Sequence, residues 1–308
     1  MAGVPTSPIT INGMPWDVYT KVLDGIFWNA ARQTPTYIER CFNVQRVPRK
    51  KVEYRSFAGV PLASDWDPNG NPITSHVVNP RFKIELINTW YANAIDYTLE
   101  HKQFDQWQLM NEATAELGRS AARKKEYLGA AFLEGGFSAV WNTEEGKVLF
   151  AADHPLDPRV GGSYSNLVTG NLSVAKLQEA IALQESTPDD LGYPFGLQSR
   201  YLVVHKKKKM LAMEVLGQGI KYRTDAANYT PNVFEDWNIT IVAHDWLTVS
   251  ENAWFLFADR HGLVWNNVID LNSHIFEDDR THVTQRQVWF CCTRGARDWR
   301  GVLGSAGA

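Results

Sequence analysis

The chain has 308 residues, about twice the length of a typical domain, which predicts two domains or one elaborated domain. Hydrophobic residues make up 44% and charged residues 21% of the sequence, which is typical of a folded soluble protein and excludes collagen-like and low-complexity classes. The formal net charge of −3 gives no sign of a freely diffusing nucleic-acid binder, but it is compatible with a local basic face.

The three cysteines, Cys41, Cys291 and Cys292, have no CxxC spacing and are too few for a disulfide framework. We therefore predict buried thiols in a reducing compartment. Residues 1–8 lack the basic and apolar regions of a signal peptide, and no apolar run approaches the roughly 18 residues that span a bilayer. These features predict a soluble intracellular chain without membrane contact.

The first part of the chain reads as an extended arm over residues 1–15 and a helix over 16–31 that ends at Thr34 and Pro35. Alternating apolar residues then predict strands over 52–57 and 82–86, with a polar turn at 65–72, and a further alternation over 91–99. An isolated long hairpin is marginal in water. If its own domain does not cover it, a neighbouring subunit must, and the residues expected at such contacts are Trp66, Phe82, Ile84 and Leu86.

The clearest predicted element is a helix over 104–134, whose apolar residues follow helical spacing on one stripe. Acidic residues near its start and basic residues near its end complement the helix dipole, and Gly135 and Gly136 end it. A helix of this length measures about 45 Å, so it is predicted to act as a spine. Its predicted core side chains are Phe104, Trp107, Met110, Leu117, Leu128 and Phe132.

Residues 148–270 predict a compact α/β unit. Helices are predicted over 173–186, with Ser173 as the N-cap, and over 207–216. Strands are predicted over 201–204, 239–243, 254–258 and 263–265, and a long strand-like stretch over 281–293 returns at the end of the chain.

A search for catalytic chemistry gives weak signals only. The sequence has no HExxH motif, P-loop, nucleophile elbow or GxGxxG motif. The segment 153–157 is predicted to be a polar turn, and Glu144 and Glu145 to be solvated loop residues. His244 with Asp245, and Asp259 with His261, are predicted to be residues of turns and strand ends. We predict no catalytic residue, no metal site and no cofactor.

One charge run is distinctive: Lys206, Lys207, Lys208 and Lys209, called the lysine turn below, open the predicted helix that follows strand 201–204. Four ammonium groups in a first helical turn oppose the helix dipole. A solvated basic face explains such a run, and so does an anion opposite it, either a neighbour's carboxylates or nucleic-acid phosphate.

The order of these elements resembles that of the Hong Kong 97-like major capsid proteins of tailed bacteriophages. Residues 148–155 and 161–167, followed by a helix opened at Ser173, look like the axial-domain entry of Mu-like major head subunits. Residues 201–204 with the following helix, then Asp278-Asp279 and 294–302, resemble later segments of that family. The lysine turn departs from the family, which commonly has prolines there. No lysine lies within 65–72, so covalent cross-linking is not carried over.

The resemblance implies an α+β Hong Kong 97-like fold and a non-enzymatic major head protein that builds an icosahedral shell around double-stranded DNA. Its implied parts are an N-terminal arm (1–45), an extended β-hairpin loop (46–86), a peripheral domain (87–147) with the spine helix, an axial domain (148–270) and a return strand (271–308). The implied partners are further copies of the chain in hexamers and pentamers, portal and scaffold or cement proteins, and packaged DNA. The implied location is the virion capsid, assembled in the host cytoplasm.

Other functions remain open from the sequence. An encapsulin-type nanocompartment shell has the same fold, and nucleic acid in purified particles would distinguish the two. A soluble α/β hydrolase that uses His154 or His244 would elute as a small oligomer. A tail or scaffolding protein is disfavoured by the single spine helix and the mixed α/β content.

Overall fold

The computed structural model describes residues 10–11, 14–57, 59–67, 69, 72–77, 80–104, 108–138, 143–157, 161–217, 234, 237–278 and 280–307. The helices are α1 (Trp16–Gln33), α2 (Ile38–Cys41), α3 (Leu99–Phe104), α4 (Leu109–Gly135), α5 (Val174–Glu185) and α6 (Lys209–Val215). The strands are β1 (Thr10–Ile11), β2 (Met14–Pro15), β3 (Asn43–Arg46), β4 (Lys51–Phe57), β5 (Pro80–Ile87), β6 (Thr89–Tyr97), β7 (His154–Asp157), β8 (Gly161–Tyr164), β9 (Ser199–His205), β10 (Thr240–His244), β11 (Trp254–Ala258), β12 (Leu263–Asp278), β13 (Val283–Ala296) and β14 (Val302–Ser305).

Two four-stranded sheets organise these elements. Sheet I has the order β10-β9-β11-β14, with β10 parallel to β9 and the other pairs antiparallel. Sheet II has the order β3-β12-β13-β6, with β3 parallel to β12 and the other pairs antiparallel. Three two-stranded pairs, β1-β2, β4-β5 and β7-β8, complete the described strands. The mixture of helices and sheets confirms the predicted α+β class.

Sheet I lies at the centre of the core because its strands are apolar on both faces. All five residues of β11 are buried, as expected for a continuous apolar run. Leu202 and Leu256 pack with Leu177 of α5 and Val215 of α6 on one side of the sheet. On the other side, neighbouring strand residues pack in a cluster that also holds parts of α4 and of sheet II, including Val203, Phe255, Phe132, Trp265 and Phe290.

Sheet II carries α1 and α4 on one face. Phe27 of α1, Leu117 and Ala121 of α4, and Val288 of β13 form one buried cluster there. Gly118 lies at the helix crossing, where an added Cβ would come within 2.5 Å of the Phe27 carbonyl oxygen. A glycine at this position lets the two helix backbones approach closely.

The spine helix begins later than the sequence predicts. Helix α4 starts at Leu109, after Gln108 takes a left-handed conformation with φ of 56°. Phe104 therefore belongs to the separate helix α3, and it is 68% exposed, so its prediction as a core residue is wrong. Trp107 lies outside the described residues. The remaining predicted core residues are confirmed as buried: Met110, Leu117, Leu128 and Phe132.

Most other predicted elements are confirmed. Helix α1 covers 16–31, helix α5 has Ser173 as its N-cap, and the hairpin strands β4 and β5 lie where the alternation placed them. The predicted short strand over 263–265 is wrong in length, because β12 continues to Asp278 and pairs along β13 within sheet II. The last strand, β14, pairs with β11 in sheet I. Among the described residues, no helix combines the length and apolar character that membrane crossing requires.

Candidate contact surfaces

The base of the hairpin β4-β5 packs against its own chain. Ile84 and Leu86 are each 8% exposed and contact Val264 of β12. The Tyr54 hydroxyl donates a hydrogen bond of 2.8 Å to the Asn266 side-chain oxygen and fixes the same face. The prediction that Ile84 and Leu86 reach a neighbouring subunit is therefore wrong, since sheet II already covers them.

Beyond this base the hairpin continues into an exposed segment, which we call the extended loop (described residues 59–67 and 72–77). Every residue of 60–67 and 72–77 is exposed. The tip contains Trp66 at 52% exposure, and Phe82 near the base is half-buried. Large apolar side chains are exposed on this projection and at Phe57, where β4 ends: on the extended loop they are Val60, Leu62, Trp66, Ile73 and Val77. Most exposed apolar residues of a soluble protein are scattered singly, so this group on one projection is unusual.

A buried ionic cluster fixes the base of the hairpin to the neighbouring loops. Arg81 of β5 forms an ion pair with Asp190 and donates to the carbonyl oxygens of Pro155, at 3.3 Å, and Leu156. Arg300 donates to the same Asp190 carboxylate at 2.7 Å. Both arginine side chains are 3% exposed. Sequence reasoning missed this cluster, because its members are more than 100 residues apart and no local pattern marks them.

Glu144 and Glu145 are not the solvated pair that the sequence predicts. Burial and, after it, the nearby Asp298 charge raise the pKa of Glu144 to about 7, against a hydrogen bond with Ser56 of the hairpin that lowers the pKa. The Glu145 side chain is 1% exposed and lies 2.9 Å from His154 Nδ1. Glu144 therefore lies at the base of the hairpin and Glu145 beside His154, and the prediction of a solvated loop is wrong.

The histidines considered for a hydrolase have structural partners. The fully buried His154 ring stacks on Trp299 at 4.6 Å, and its Nε2 lies 3.0 Å from Asn166 Oδ1. Both ring nitrogens thus lie within hydrogen-bond distance of a side-chain oxygen, Nδ1 of Glu145 and Nε2 of Asn166. His244 Nδ1 accepts a hydrogen bond from the Trp246 N–H, and burial lowers its pKa to about 4. These contacts make both rings parts of the core.

The possible metal ligands and the thiols of the described residues also have structural surroundings. In the ranges that the structure describes, no three His, Cys, Asp or Glu side chains are grouped to hold a metal ion. Asp153 pairs with Lys147 instead of turning towards His154. The three cysteines are free and buried, as predicted, and burial raises the pKa of Cys41 and of Cys292 to about 12.

The lysine turn forms a 3₁₀ turn (Lys206–Lys208) that leads into α6. Lys206 pairs with Asp245 at 3.0 Å, and Lys207 pairs with Glu251, so the carboxylates opposite these two lysines come from the same chain. For Lys208 and Lys209, no carboxylate partner lies within ion-pairing distance among the described residues. Among the described residues, carboxylates of the same chain thus pair with two of the four lysines.

Comparison with solved structures identifies the fold. The chain matches the capsid of cyanophage P-SCSP1u with a TM-score of 0.59 and 11% identity, over 88% of both chains. It matches the virus-like particle from Pyrococcus furiosus with a TM-score of 0.55 and 9% identity, over 92% of this chain and 98% of the other. The SrpI encapsulin from Synechococcus elongatus matches with a TM-score of 0.53 and 11% identity, over 89% and 88%. These similarities confirm the Hong Kong 97-like fold.

Comparison of the sequence gives the family. No curated protein matches the chain significantly. A family model described as "Phage capsid protein" matches residues 84–304, which is more than two thirds of the chain and runs from within β5 to within β14. The family and the fold indicate a structural shell protein, and this agrees with the exposed loop and the internally satisfied histidines. The chain belongs to the phage capsid protein family and has the fold of its Hong Kong 97-like members.

Proposed function

We propose that this protein is the major capsid protein of a tailed bacteriophage, and that it assembles into an icosahedral shell around double-stranded DNA. The observation that carries the proposal is the extended loop, whose apolar side chains are exposed in the isolated chain, on a fold shared with capsid proteins. Burying such side chains against another copy removes apolar surface from water, which contributes roughly 25 cal/mol per Å².

The arrangement of the loop suits repeated contacts between identical copies. Its base is held by the Asp190 ion pairs, so the direction in which it projects is set by the fold of its own chain. A fixed projection and a complementary surface on the next copy generate a ring when the rotation closes. Hexamers and pentamers of the chain are therefore the proposed building blocks. Portal and scaffold or cement proteins are the proposed further partners, and the virion capsid, assembled in the host cytoplasm, is the proposed location.

The test is particle formation by the expressed full-length chain, followed by negative-stain electron microscopy and size-exclusion chromatography. The variant L62S/W66S/I73S removes apolar surface from exposed loop positions. We expect the parent to form closed shells, and this variant to stay folded but to stop at free subunits.

The matched control is S64A/T74A/S75A, which changes three exposed polar residues of the same loop and leaves its apolar side chains in place. It is expected to assemble like the parent. A parent chain that remains a small compact oligomer under all conditions would contradict the proposal and favour a soluble enzyme.

An encapsulin-type shell is the second candidate, because the SrpI encapsulin shares the fold at a TM-score of 0.53. The two candidates differ in what the shell contains. Particles made during infection or packaging would protect long double-stranded DNA from nuclease if this is a phage head. An encapsulin would instead retain a cargo protein in stoichiometric amounts and no long DNA.

A further inference from the structure

The two sides of sheet II differ in charge. Helix α4 lies on one side, and its second half carries the cations Arg119, Arg123 and Lys124, besides Lys125, which is 17% exposed and pairs with Asp270 of β12. Successive side chains of a strand point to opposite faces of the sheet, so every second residue of β6, β12 and β13 faces away from the helices. Within the described residues of these strands, that side contains no lysine or arginine. Its residues include Ala92, Ala94, Asn272, His274, Gln285 and Gln287.

The cations of α4 are connected to the lysine turn through aromatic rings. Lys124 Nζ lies 4.9 Å from the centre of the Tyr127 ring. The Tyr127 ring meets the Trp246 ring edge-on at 6.0 Å. Trp246 follows Asp245 in the chain, and Asp245 pairs with Lys206 at 3.0 Å. We call this connected area the basic surface; its members are Arg123, Lys124, Tyr127, Trp246 and the lysine turn.

The basic surface has more cations than carboxylates to neutralise them. Glu116 already pairs with both Arg119, at 2.8 Å, and Arg123, at 2.5 Å. Among the described residues, Lys124 has aromatic contacts but no carboxylate within ion-pairing distance, and Lys208 and Lys209 likewise have no carboxylate within that distance. Since the whole chain has a formal charge of −3, this local excess is a property of one surface rather than of the molecule.

We infer that the basic surface binds the phosphate backbone of nucleic acid without sequence preference, and that it is the side of the subunit that faces the packaged DNA. The inference deepens the proposed function and rests on it. Lysines on flexible stems contact phosphates as point charges, and the release of counterions supplies the binding free energy. The half-buried Trp246 and the Tyr127 ring, 41% exposed, lie between the cations, so the surface combines charge with flat apolar area.

The test uses the unassembled full-length chain and a fluorescein-labelled random duplex of about 30 base pairs, with anisotropy measured at several salt concentrations. The variant K124Q/K208Q/K209Q removes the three cations that lack carboxylate partners. We expect its affinity to be at least about tenfold lower at low salt. The slope of log K against log salt should become shallower by about 3, since each phosphate that the protein no longer neutralises changes it by about 0.9.

The matched control is K51Q/K83Q/K176Q, which removes the same charge from lysines that pair elsewhere with Glu85 or Glu179. It should bind the duplex like the parent. Equal reductions of affinity in both triple variants would show that only the total charge matters and would overturn the inference. Displacement of the duplex by polyglutamate at equal charge concentration would also overturn it, in favour of an acidic protein ligand. Thermal denaturation of each variant verifies that it is folded.

A second readout separates this inference from the proposed function. If the parent forms no particles, the proposed function fails, whatever the anisotropy shows. If K124Q/K208Q/K209Q forms particles that retain as much nuclease-protected nucleic acid as the parent, then the shell assignment stands and the inference about the basic surface is wrong. Normal particles that retain less nucleic acid support the inference.

Discussion

Asp190, in the loop after α5, forms an ion pair with Arg81 at the base of the extended loop. The same carboxylate accepts a hydrogen bond of 2.7 Å from Arg300, near the end of the chain. One nearly buried carboxylate thus connects two arginines that are each 3% exposed. The cluster thus joins the base of the hairpin to two segments that are distant in the sequence.

Replacing Asp190 by asparagine is predicted to destabilise the chain strongly. The asparagine side chain has nearly the same shape, but it leaves the guanidinium groups of Arg81 and Arg300 buried without their shared charge, apart from the Asp298 contact of Arg300. Breaking a buried pair in this way typically costs about 3–5 kcal/mol. Urea denaturation of the unassembled chain measures the decrease in stability.

The control for D190N is E179Q, which removes the exposed Lys176–Glu179 pair and should cost less than about 1 kcal/mol. Equal midpoints for D190N and the parent would show that the cluster does not hold the hairpin base. A normal midpoint for E179Q is needed to attribute the destabilisation to burial.

Glycine at the crossing of α1 and α4 gives a second prediction. In Gly118→Ala the new Cβ would lie 2.5 Å from the Phe27 carbonyl oxygen and 3.4 Å from the Ala31 nitrogen, so the helices must separate. Overpacking of this kind costs about 1–3 kcal/mol, more than the roughly 1 kcal/mol that alanine gains over glycine in a helix. We expect a lower melting temperature.

Gly25→Ala is the matched control on the partner helix. Its Cβ would have no atom within 4 Å, so only the helix propensity changes, and we expect a small rise in melting temperature. Opposite signs for the two glycine variants are the expected outcome of one thermal denaturation series. A rise for Gly118→Ala would mean that the two helix backbones do not approach each other this closely.

Glu126, buried in the middle of α4, predicts a pH-dependent stability. Its Oε2 accepts a hydrogen bond of 3.0 Å from the Tyr37 N–H and lies 3.8 Å from His244 Nε2. Burial raises the pKa of Glu126 to about 7, against the lowering effect of the backbone hydrogen bonds. Below the pKa that Glu126 has in the unfolded chain, its carboxyl is protonated in both the folded and the unfolded state, and the contribution of Glu126 to stability is fully present. It is lost as pH rises through the folded pKa, because the native state must then bury a charge.

Glu126→Gln removes the titration and keeps an oxygen for the Tyr37 N–H. The melting temperature of the parent minus that of E126Q should therefore fall between pH 5 and pH 8, by the equivalent of at most about 3 kcal/mol. E112Q, at an exposed position of the same helix, should show no such trend. A constant difference between the parent and E126Q across this range would refute the role of Glu126.

The sequence predicts the hairpin and most helices well because their signals are local. The alternation of Phe82, Ile84 and Leu86 gives the correct strand and the correct inner face, but it cannot say that the covering surface is Val264 of the same chain. The apolar stripe of the spine helix continues through Phe104 and Trp107. The left-handed backbone at Gln108 interrupts the helix without breaking that spacing.

The buried charges could not be predicted from the sequence. Arg81, Asp190 and Arg300 read as ordinary surface residues, and only tertiary structure brings them together. Glu144 and Glu145 look like a solvated acidic pair, because adjacent charges usually mark a loop. Here the Glu145 side chain instead fills a buried position beside His154. Local patterns thus predict elements and faces, whereas pairings across the fold depend on contacts that are distant in the sequence.

The attachment of α1 to sheet II gives the last prediction. Asp24 Oδ1 lies 2.6 Å from Arg286 Nη2, and Arg286 is fully buried whereas the Asp24 side chain is 53% exposed. Asp24→Ala leaves a buried guanidinium without its carboxylate, so we expect a cost of about 2–3 kcal/mol, above the roughly 0–1 kcal/mol typical of surface pairs. In the Arg286→Met background, which replaces the buried charge by an apolar side chain, the same substitution should cost almost nothing. Urea denaturation of the four proteins measures this coupling, and additive costs would show that Arg286 does not depend on Asp24.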